Sequence, residues 1–239
     1  MRISVLIPAY NEEQNIEETI EGVKELTRST TGSEHLELEI IVIDDGSRDN
    51  THARAVKSGV ETIKLTKNIG KGGALEHGLK KASGDIIVFL DADLKRSSSE
   101  ASKLIKPIMT GEADVVIGSF KPSKTPGGLG LVKALAFYGV KLLAGCEVRS
   151  SLSGQRAFNR QVLDNLGPIP GGFSLEVGML IDLLRKGYRV VEVPVEMCHE
   201  ATGRNLKGFL HRGRQFIHIL RVLISKIRRD DNCLNIFIL

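Results

Sequence analysis

Residues 86–93 read Ile86-Ile87-Val88-Phe89-Leu90-Asp91-Ala92-Asp93, an apolar run that ends in two carboxylates. A nearly continuous apolar run is typical of a strand that is covered on both faces of a parallel sheet. Similar runs predict further strands, so that the full predicted set is 3–7, 39–43, 61–65, 85–90, 114–117 and 189–195. Because these runs alternate with amphipathic stretches, the sequence predicts an α/β fold with a mostly parallel sheet flanked by helices.

The stretches between the strands predict helices. Asn11 is the expected N-cap of the first helix, with Gln14 placed to reach back to it. Its buried stripe is predicted to consist of Ile16, Ile20, Val23 and Leu26. Further helices are predicted at 49–57, 73–82, 99–110 and 174–186, the last of them ending at Gly187. The apolar stretch 129–145 predicts either an ordinary helix or an interfacial one.

Length and charge indicate one domain with a basic end. A chain of 239 residues, 41% of them hydrophobic and 26% charged, holds enough apolar material for one full-sized core. The net charge is +4, and eight Lys or Arg residues but no acid lie between Gly203 and Arg229. We therefore expect a single domain over 1–229 that closes with a basic amphipathic helix at 205–229, followed by a tail at 230–239. An apolar face is predicted along this helix, formed by Leu206, Phe209, Leu210, Phe216, Ile217, Leu220, Leu223, Ile224 and Ile227.

The cysteines and the N-terminus indicate a cytoplasmic protein. The chain has three cysteines and no C-x-x-C pair, which suggests neither a disulfide framework nor a thiolate zinc site. Residues 1–8 lack the basic and long apolar regions of a signal peptide. No run reaches the about 18 apolar residues that span a bilayer. Peripheral contact with the inner face of the membrane remains an alternative, because the basic helix and the 129–145 stretch suit an anionic lipid surface.

Two carboxylates follow the strand at 85–90. Residues beyond the carboxyl ends of parallel strands form the usual ligand site of such a sheet. Asp91 and Asp93 are separated by one residue, so both side chains can point to the same side. Their hard oxygen atoms suit Mg²⁺ or Mn²⁺, which also recruit substrate phosphates. The alternative is a simple turn or helix cap, but two adjacent carboxylates at a strand end repel each other and call for a cation.

The glycine-rich segment 68–73 opens a predicted helix. Free N–H groups and the helix dipole favour a phosphate there, and Lys71 adds a full charge. The glycine order fits neither a dinucleotide fingerprint nor a Walker loop, so a tight turn is the alternative.

Four motifs in this order resemble family 2 glycosyltransferases of the GT-A fold, which is Rossmann-like. They are Ile7-Pro8-Ala9-Tyr10-Asn11-Glu12-Glu13, Val42-Ile43-Asp44-Asp45-Gly46-Ser47, Gly70-Lys71-Gly72 and Asp91-Ala92-Asp93. The resemblance implies a nucleotide-sugar half at 1–118 and an acceptor half at 119–204. It also implies that the donor is bound by Pro8, Ala9, Tyr10, Glu12, Asp45, Lys71, Asp91 and Ala92, and that the diphosphate is held through a metal.

Motifs in the second half look like those of glucosyl-3-phosphoglycerate synthases. They are Gly118-Ser119-Phe120-Lys121-Pro122, Ser151-Leu152-Ser153-Gly154-Gln155-Arg156-Ala157 and Gly172-Phe173-Ser174-Leu175-Glu176-Val177-Gly178. This resemblance implies that Glu176 is catalytic and that His199 completes the metal shell with Asp91 and Asp93. Ser153, Gly154 and Arg204 are the residues we expect at the acceptor phosphate. Gln155-Arg156 departs from the usual Glu-Tyr of that family, which leaves the acceptor open.

Dolichyl- or polyprenyl-phosphate sugar synthases are the second set of relatives. Their motifs place a glutamine where Lys95 stands and an arginine where Phe120 stands. The predicted function is therefore transfer of a hexose from a UDP- or GDP-sugar to a phosphorylated acceptor, with a polyprenyl phosphate at the membrane surface as the alternative acceptor. A homodimer is a further alternative use of the basic helix.

Other classes fit less well. An oxidoreductase needs a glycine fingerprint directly after the first strand, where Pro8-Ala9-Tyr10 stands. A non-catalytic module that binds sugar nucleotides stays open, although the intact Asp91 and Asp93 argue against it. Nucleic-acid binding would rest on net charge alone, and we expect no nucleic-acid partner.

Overall fold

The computed structural model describes residues 1–29, 36–120, 130–167, 169, 175–198 and 206–234. Its strands are β1 (Arg2–Ala9), β2 (Glu37–Asp44), β3 (Glu61–Lys64), β4 (Ile86–Phe89), β5 (Val115–Phe120), β6 (Arg156–Asn159) and β7 (Val190–Val195). Its helices are α1 (Ile16–Ser29), α2 (Thr51–Lys57), α3 (Gly70–Leu79), α4 (Ala101–Met109), α5 (Leu131–Ala144), α6 (Arg160–Leu166), α7 (Leu175–Arg185) and α8 (Leu206–Leu234), and a 3-10 turn, Lys95–Glu100, precedes α4.

The strands form one seven-stranded sheet in the order β3-β2-β1-β4-β6-β5-β7. The pairs β3–β2, β2–β1, β1–β4 and β5–β7 are parallel, which confirms the predicted mostly parallel sheet. Strand β6 pairs antiparallel with both β4 and β5, and the sequence did not predict it. Its four residues, Arg156-Ala157-Phe158-Asn159, carry no β-branched side chain and no alternation that would mark a strand.

Helices cover the sheet on both faces, which explains the long apolar runs of its central strands β1, β2 and β4. On one face, Val5 and Val88 pack with the stripe of α1 and with Leu104 of α4. The stripe predicted for α1 is confirmed, because Ile16, Ile20, Val23 and Leu26 are all buried. On the other face, Leu6, Ile87 and Phe89 pack with Leu75 of α3 and Met179 of α7. The central strands therefore have no solvent face.

The start of α1 differs from the prediction. The helix begins at Ile16, and Asn11 has a φ of 56°, in the left-handed region that asparagine tolerates. The Asn11 side chain accepts the Arg48 N–H at 2.9 Å, and its own N–H donates to Ser47 Oγ at 2.9 Å. The predicted cap is wrong because Asn11 bonds the loop that follows β2 instead of the first turn of α1.

A third cluster joins α5, α7 and α8 beyond β5. Leu223 and Ile219 of α8 are buried there against Val140 and Leu180. Only part of the predicted apolar face of α8 is buried, because α5 and α7 contact the helix from one side. Among the residues of that face whose side chains the structure describes, four are exposed: Ile217, Leu220, Ile224 and Ile227. In the described part of the chain, no helix combines the length and the apolar character needed to cross a bilayer.

Candidate active site

The ends of β1, β2 and β4 bring the predicted motifs together. The three strands are parallel neighbours, with Ala9 opposite Asp44 and Leu6 opposite Phe89. The segments that follow them therefore leave the sheet at one edge. Pro8 and Ala9 end β1, and Ala9 is buried, whereas Tyr10 is 43% exposed.

The segment after β1 is fixed by the loop after β2. The Glu12 N–H donates to Thr51 Oγ1 at 2.7 Å, and Glu12 Oε2 accepts from the Asn15 side chain at 2.8 Å. Tyr10 thus stands on a backbone that is fixed on both sides while its ring faces solvent. This arrangement suits a flat ring as a ligand.

Asp45 holds the beginning of α3. Its Oδ1 accepts the Ile69 N–H and its Oδ2 accepts the Gly70 N–H, both at 2.8 Å. Gly70 has a φ of 85°, so the chain turns there and α3 starts three residues before the predicted Gly73. Both Asp45 oxygens thus bond the backbone that carries Lys71.

The first acid of the pair, Asp44, is fully buried, and its Oδ2 has no hydrogen-bond partner within the described residues.

Lys71 joins the two acidic residues at the centre of the site. Its Nζ lies 2.5 Å from Asp91 Oδ1 and 3.3 Å from Glu176 Oε1. Burial alone would lower the pKa of Lys71, but the charges of Asp91 and Glu176 outweigh it and raise that pKa above its ordinary value. Lys71 is therefore a full cation at neutral pH. Asp91 thus has a side-chain cation as its neighbour, in addition to the metal ion that the sequence predicts there.

The loop before β6 contacts Asp91 from the other side. Gln155 Oε1 accepts the Asp91 N–H at 3.0 Å, and Gln155 Nε2 donates to Asp91 Oδ2 at 2.6 Å. Ser153 is buried beside this loop. A Cβ at Gly154 would lie closer than 3.0 Å to Lys71 Nζ, so only glycine lets the Lys71–Asp91 pair lie against this loop. Gln155, Gly154 and Lys71 together fix both oxygens of the Asp91 carboxylate.

Asp93 borders a groove of about 460 Å³ that Glu18, Lys95, Ser97 and Cys198 also line. The Ala92 carbonyl, by contrast, accepts from buried Thr19 Oγ1 at 2.7 Å, so residue 92 anchors the segment to α1. Lys95 is exposed with a φ of 52°. Of the motif's two carboxylates, Asp93 is the one beside this groove.

The predicted metal site is only partly within the described residues. Asp91 and Asp93 are described, whereas His199 and Arg204 lie outside the described residues. Among the residues that are described, no group of three His, Cys, Asp or Glu side chains is arranged to hold a metal ion. Cys198, directly before His199, lines the same groove as Asp93, and its N–H donates to Ser97 Oγ at 3.0 Å.

Sequence reasoning missed three residues of this site. Gln155 and Arg156 were noted only as a departure from a family motif, and Asp44 only as part of one. A buried polar side chain that touches a residue far away in sequence leaves no periodic signal. The one signal in the sequence was that Gln155-Arg156 replaces the Glu-Tyr of the related family. These two residues lie where the chain enters β6.

Known proteins resemble this chain in sequence and in structure. A dolichol-phosphate mannosyltransferase of Pyrococcus furiosus is 34% identical over 87% of the chain and 60% of its own length. A glucosyl-3-phosphoglycerate synthase of Mycobacterium tuberculosis is 35% identical over 75% of the chain and 60% of its own length. The crystal structure of the Mycobacterium tuberculosis synthase with Mn²⁺, UDP and phosphoglyceric acid superposes with a TM-score of 0.75 at 31% identity, covering 94% of this chain and 78% of that one.

These comparisons establish the fold and the family. The chain spans about three fifths of the length of the two sequence relatives. The structural match confirms the predicted GT-A fold. The sequence profile of glycosyl transferase family 2 matches residues 4–167, which include all of the donor-side motifs. The chain therefore belongs to glycosyl transferase family 2.

Proposed function

We propose that the chain is a metal-dependent glycosyltransferase that moves a hexose from a nucleoside diphosphate sugar to a phosphorylated acceptor. One observation carries the proposal: the Lys71 ammonium contacts both Asp91 and Glu176 just beyond the end of β4. Asp93, two residues after Asp91, borders a separate open groove. Family membership supports the reaction class. We also propose the division into a donor half at 1–118 and an acceptor half at 119–204, with the basic helix closing one domain.

In this proposal Lys71 stabilises the departing diphosphate. The leaving group gains negative charge as the glycosidic bond breaks, so a fixed cation stabilises the transition state more than the ground state. The charges of Asp91 and Glu176 keep Lys71 protonated. Its ammonium moves from these carboxylates to the phosphate oxygens. The nucleoside lies against Pro8, Ala9, Tyr10, Glu12, Asp45 and Ala92.

The donor site fits Mg²⁺ or Mn²⁺ at Asp93. Asp93 borders an open groove, and carboxylate oxygens are ligands that both ions accept. Asp91 and His199 are the other proposed ligands. Asp91 also bonds Lys71 and Gln155, so it contributes at most part of its carboxylate. When bound, the ion neutralises charge on the diphosphate.

Glu176 acts on the acceptor side. It lies in the first turn of α7 and is largely buried beside Lys71. Where the acceptor is a hydroxyl, the carboxylate orients or deprotonates it; a phosphate monoester, with a second pKa of about 6, needs no strong base.

We propose that Ser153, Gly154 and Arg204 hold the acceptor phosphate. Glycerate-type acceptors are favoured by the phosphoglyceric acid in the similar crystal structure.

A donor and acceptor panel tests this function. UDP-, GDP- and ADP-hexoses are each incubated with 3-phosphoglycerate or a polyprenyl phosphate, in Mn²⁺, Mg²⁺ or EDTA. We expect one donor to release its nucleoside diphosphate only with metal, and one acceptor to gain the mass of a hexose. Nucleotide binding without turnover across the panel would contradict the enzyme and favour a non-catalytic binding module.

A polyprenyl phosphate acceptor is the second candidate, and an exposed apolar surface favours it. Tyr138 and Leu142 of α5 are exposed, as are Ile217, Leu220, Ile224 and Ile227 of α8. Exposed Arg214 and Arg221 lie on the same helix. Apolar and basic side chains on one surface suit an anionic membrane. Co-sedimentation with phosphatidylserine vesicles, but not with phosphatidylcholine vesicles, is expected if this candidate is right. If the protein binds neither kind of vesicle and sediments as a dimer, this surface instead contacts a second copy of the chain.

A further inference from the structure

Arg156 is a buried cation of the candidate site, and the proposed mechanism gives it no role. It begins β6, opposite Phe89 of β4, and its exposed fraction is 1%. Its Nε donates to the Ser153 carbonyl at 2.9 Å, and its Nη2 donates to the Ser151 carbonyl at 3.0 Å. These two bonds fix the guanidinium plane against the loop that carries Gly154.

The third nitrogen of Arg156 is unsatisfied. Nη1 is buried and has no hydrogen-bond partner in the described part of the chain. Buried polar groups are nearly always paired, and an unpaired donor on a charged group is especially unfavourable. The position of Nη1 therefore calls for a partner other than the side chains of the described residues.

A small, partly open space beside Arg156 has room for that partner. Arg156, Glu176, Lys71 and Gly154 line a cavity of about 10 Å³, and four apolar side chains complete its wall. A volume of about 10–15 Å³ accommodates one water molecule, provided that polar groups face it. Lys71, Arg156 and Glu176 are the charged side chains that border this cavity, and most of its wall is apolar, so a single water there would have these groups as its partners.

Side chains of both charge types meet at the cavity. Lys71, Arg156 and Glu176 line it, and Lys71 also contacts Asp91. Burial lowers the pKa of Arg156 to about 10, and the charge of Glu176 acts in the opposite direction, so the guanidinium is protonated at neutral pH. The two cations differ in freedom: Lys71 lies at the end of a flexible chain, whereas two backbone carbonyls fix Arg156.

We propose that Arg156 is a positioning residue for Glu176: one buried water bridges Arg156 Nη1 to the Glu176 carboxylate and holds it in place when Lys71 turns to the donor diphosphate. Arg156 is then the permanent counter-ion of Glu176, and Lys71 the transient one. This inference rests on the proposed function and on the role of Glu176 within it.

A double-mutant cycle in kcat tests the proposal. Wild type, Arg156→Gln, Glu176→Gln and the double variant are compared at saturating donor and metal. We expect Arg156→Gln to lower kcat about 10- to 100-fold with the donor KM changed less than about threefold, and Arg156→Lys to recover part of the loss. In the Glu176→Gln background the same change should lower kcat less than about twofold, because its target is already gone.

Arg160→Gln is the matched control. Arg160 lies four positions further along the chain. Like Arg156, it donates from its guanidinium to a backbone carbonyl, in this case from Nη1 to the carbonyl of Ala82 at 2.7 Å. Arg160 does not border the cavity. Loss of this guanidinium should lower the melting temperature and leave kcat unchanged.

Two outcomes distinguish failure of the inference from failure of the proposed function. Equal loss from Arg156→Gln in both backgrounds would mean that Arg156 only supports the fold, and would overturn the inference. If Arg156→Gln does not fold, Arg156→Lys takes its place in the same cycle, and Glu176→Asp replaces Glu176→Gln where turnover falls below detection. If the wild type shows no metal-dependent turnover, the proposed function fails and the inference falls with it.

Discussion

The Gln155 side chain bonds Asp91 at two points, accepting its N–H at 3.0 Å and donating to Oδ2 at 2.6 Å. Gln155 is fully buried, so water cannot replace it. The carboxylate at the centre of the site is thus positioned from β6, a strand that lies antiparallel between β4 and β5.

Gln155→Met removes both bonds and keeps the side-chain volume. We expect the free energy of unfolding to fall by about 1–3 kcal/mol, because a buried N–H and a carboxylate oxygen lose their partner. The rate of donor turnover should fall as well. Urea denaturation and steady-state kinetics measure the two effects. Gln161→Met, at an exposed position on α6, is the control and should change stability by less than about 0.5 kcal/mol.

Gly154→Ala tests the close approach of the loop to Lys71. The new Cβ would collide with Lys71 Nζ and lie 3.1 and 3.2 Å from the two Asp91 oxygens. Because Nζ ends a flexible chain, Lys71 shifts at little cost in stability but leaves Asp91. We expect kcat/KM to fall at least about tenfold with a nearly unchanged melting temperature. Gly213→Ala is the control, because a Cβ there meets nothing within 4 Å and alanine favours the helix. Unchanged kcat/KM in Gly154→Ala would contradict the account.

Glu176→Gln separates acceptor chemistry from donor binding. The amide keeps the shape of the side chain but removes its charge, so we expect kcat with the natural acceptor to fall about 100-fold or more. The dissociation constant for the metal–nucleotide complex should change little, because Lys71 keeps its stronger partner Asp91 at 2.5 Å. Glu147→Gln, at an exposed position after α5, should leave both quantities unchanged. Full turnover of Glu176→Gln would remove Glu176 from the chemistry.

The pair Asp114–Arg189 should make stability depend on acid pH. Asp114 Oδ1 and Oδ2 accept from Arg189 Nη2 and N at 2.8 Å, and the Arg189 hydrogen bond lowers the pKa of Asp114 below its ordinary 3.8. The folded state therefore binds this proton less readily than the unfolded state. Its contribution is complete above pH 3.8 and disappears as the pH falls through the lowered pKa.

Asp114→Asn should accordingly melt at a lower temperature than wild type at neutral pH, and the difference should close at acid pH. Thermal melts across the pH range measure it. Asp164→Asn is the control, because Asp164 is exposed and lies 3.8 Å from Arg160. A difference that stays constant with pH would show that the pair does not act through its charge.

The parallel part of the fold was predictable because burial on both faces leaves a continuous apolar run. Strands β1, β2 and β4 lie within two residues of their predicted bounds for this reason. Strand β6 was not predictable in the same way. Arg156 can begin a buried strand only because the Ser151 and Ser153 carbonyls accept its protons, and those contacts exist only in the folded chain.

The site was predictable to the level of its motifs. Lys71, Asp91 and Glu176 were all named from sequence, and the structure places Asp91 and Glu176 at 2.5 and 3.3 Å from the Lys71 ammonium. The partners that position these residues were not predicted, because Gln155 lies 64 residues from Asp91 in sequence and meets it only through the pairing of β6 with β4. At Asn11 the sequence predicted a contact that does not form. Asparagine is a good helix cap, but the Asn11 side chain accepts the Arg48 N–H instead of an N–H of α1.

The binding of UDP in the presence of Mn²⁺ tests the central claim most directly. Calorimetric titration compares wild type with Asp93→Asn, and each with EDTA in place of the metal. We expect wild type to bind UDP only with Mn²⁺, and Asp93→Asn to bind at least about tenfold more weakly, because the carboxylate beside the groove is lost. Equally tight binding by both proteins, with or without metal, would contradict a metal–diphosphate site at the end of β4.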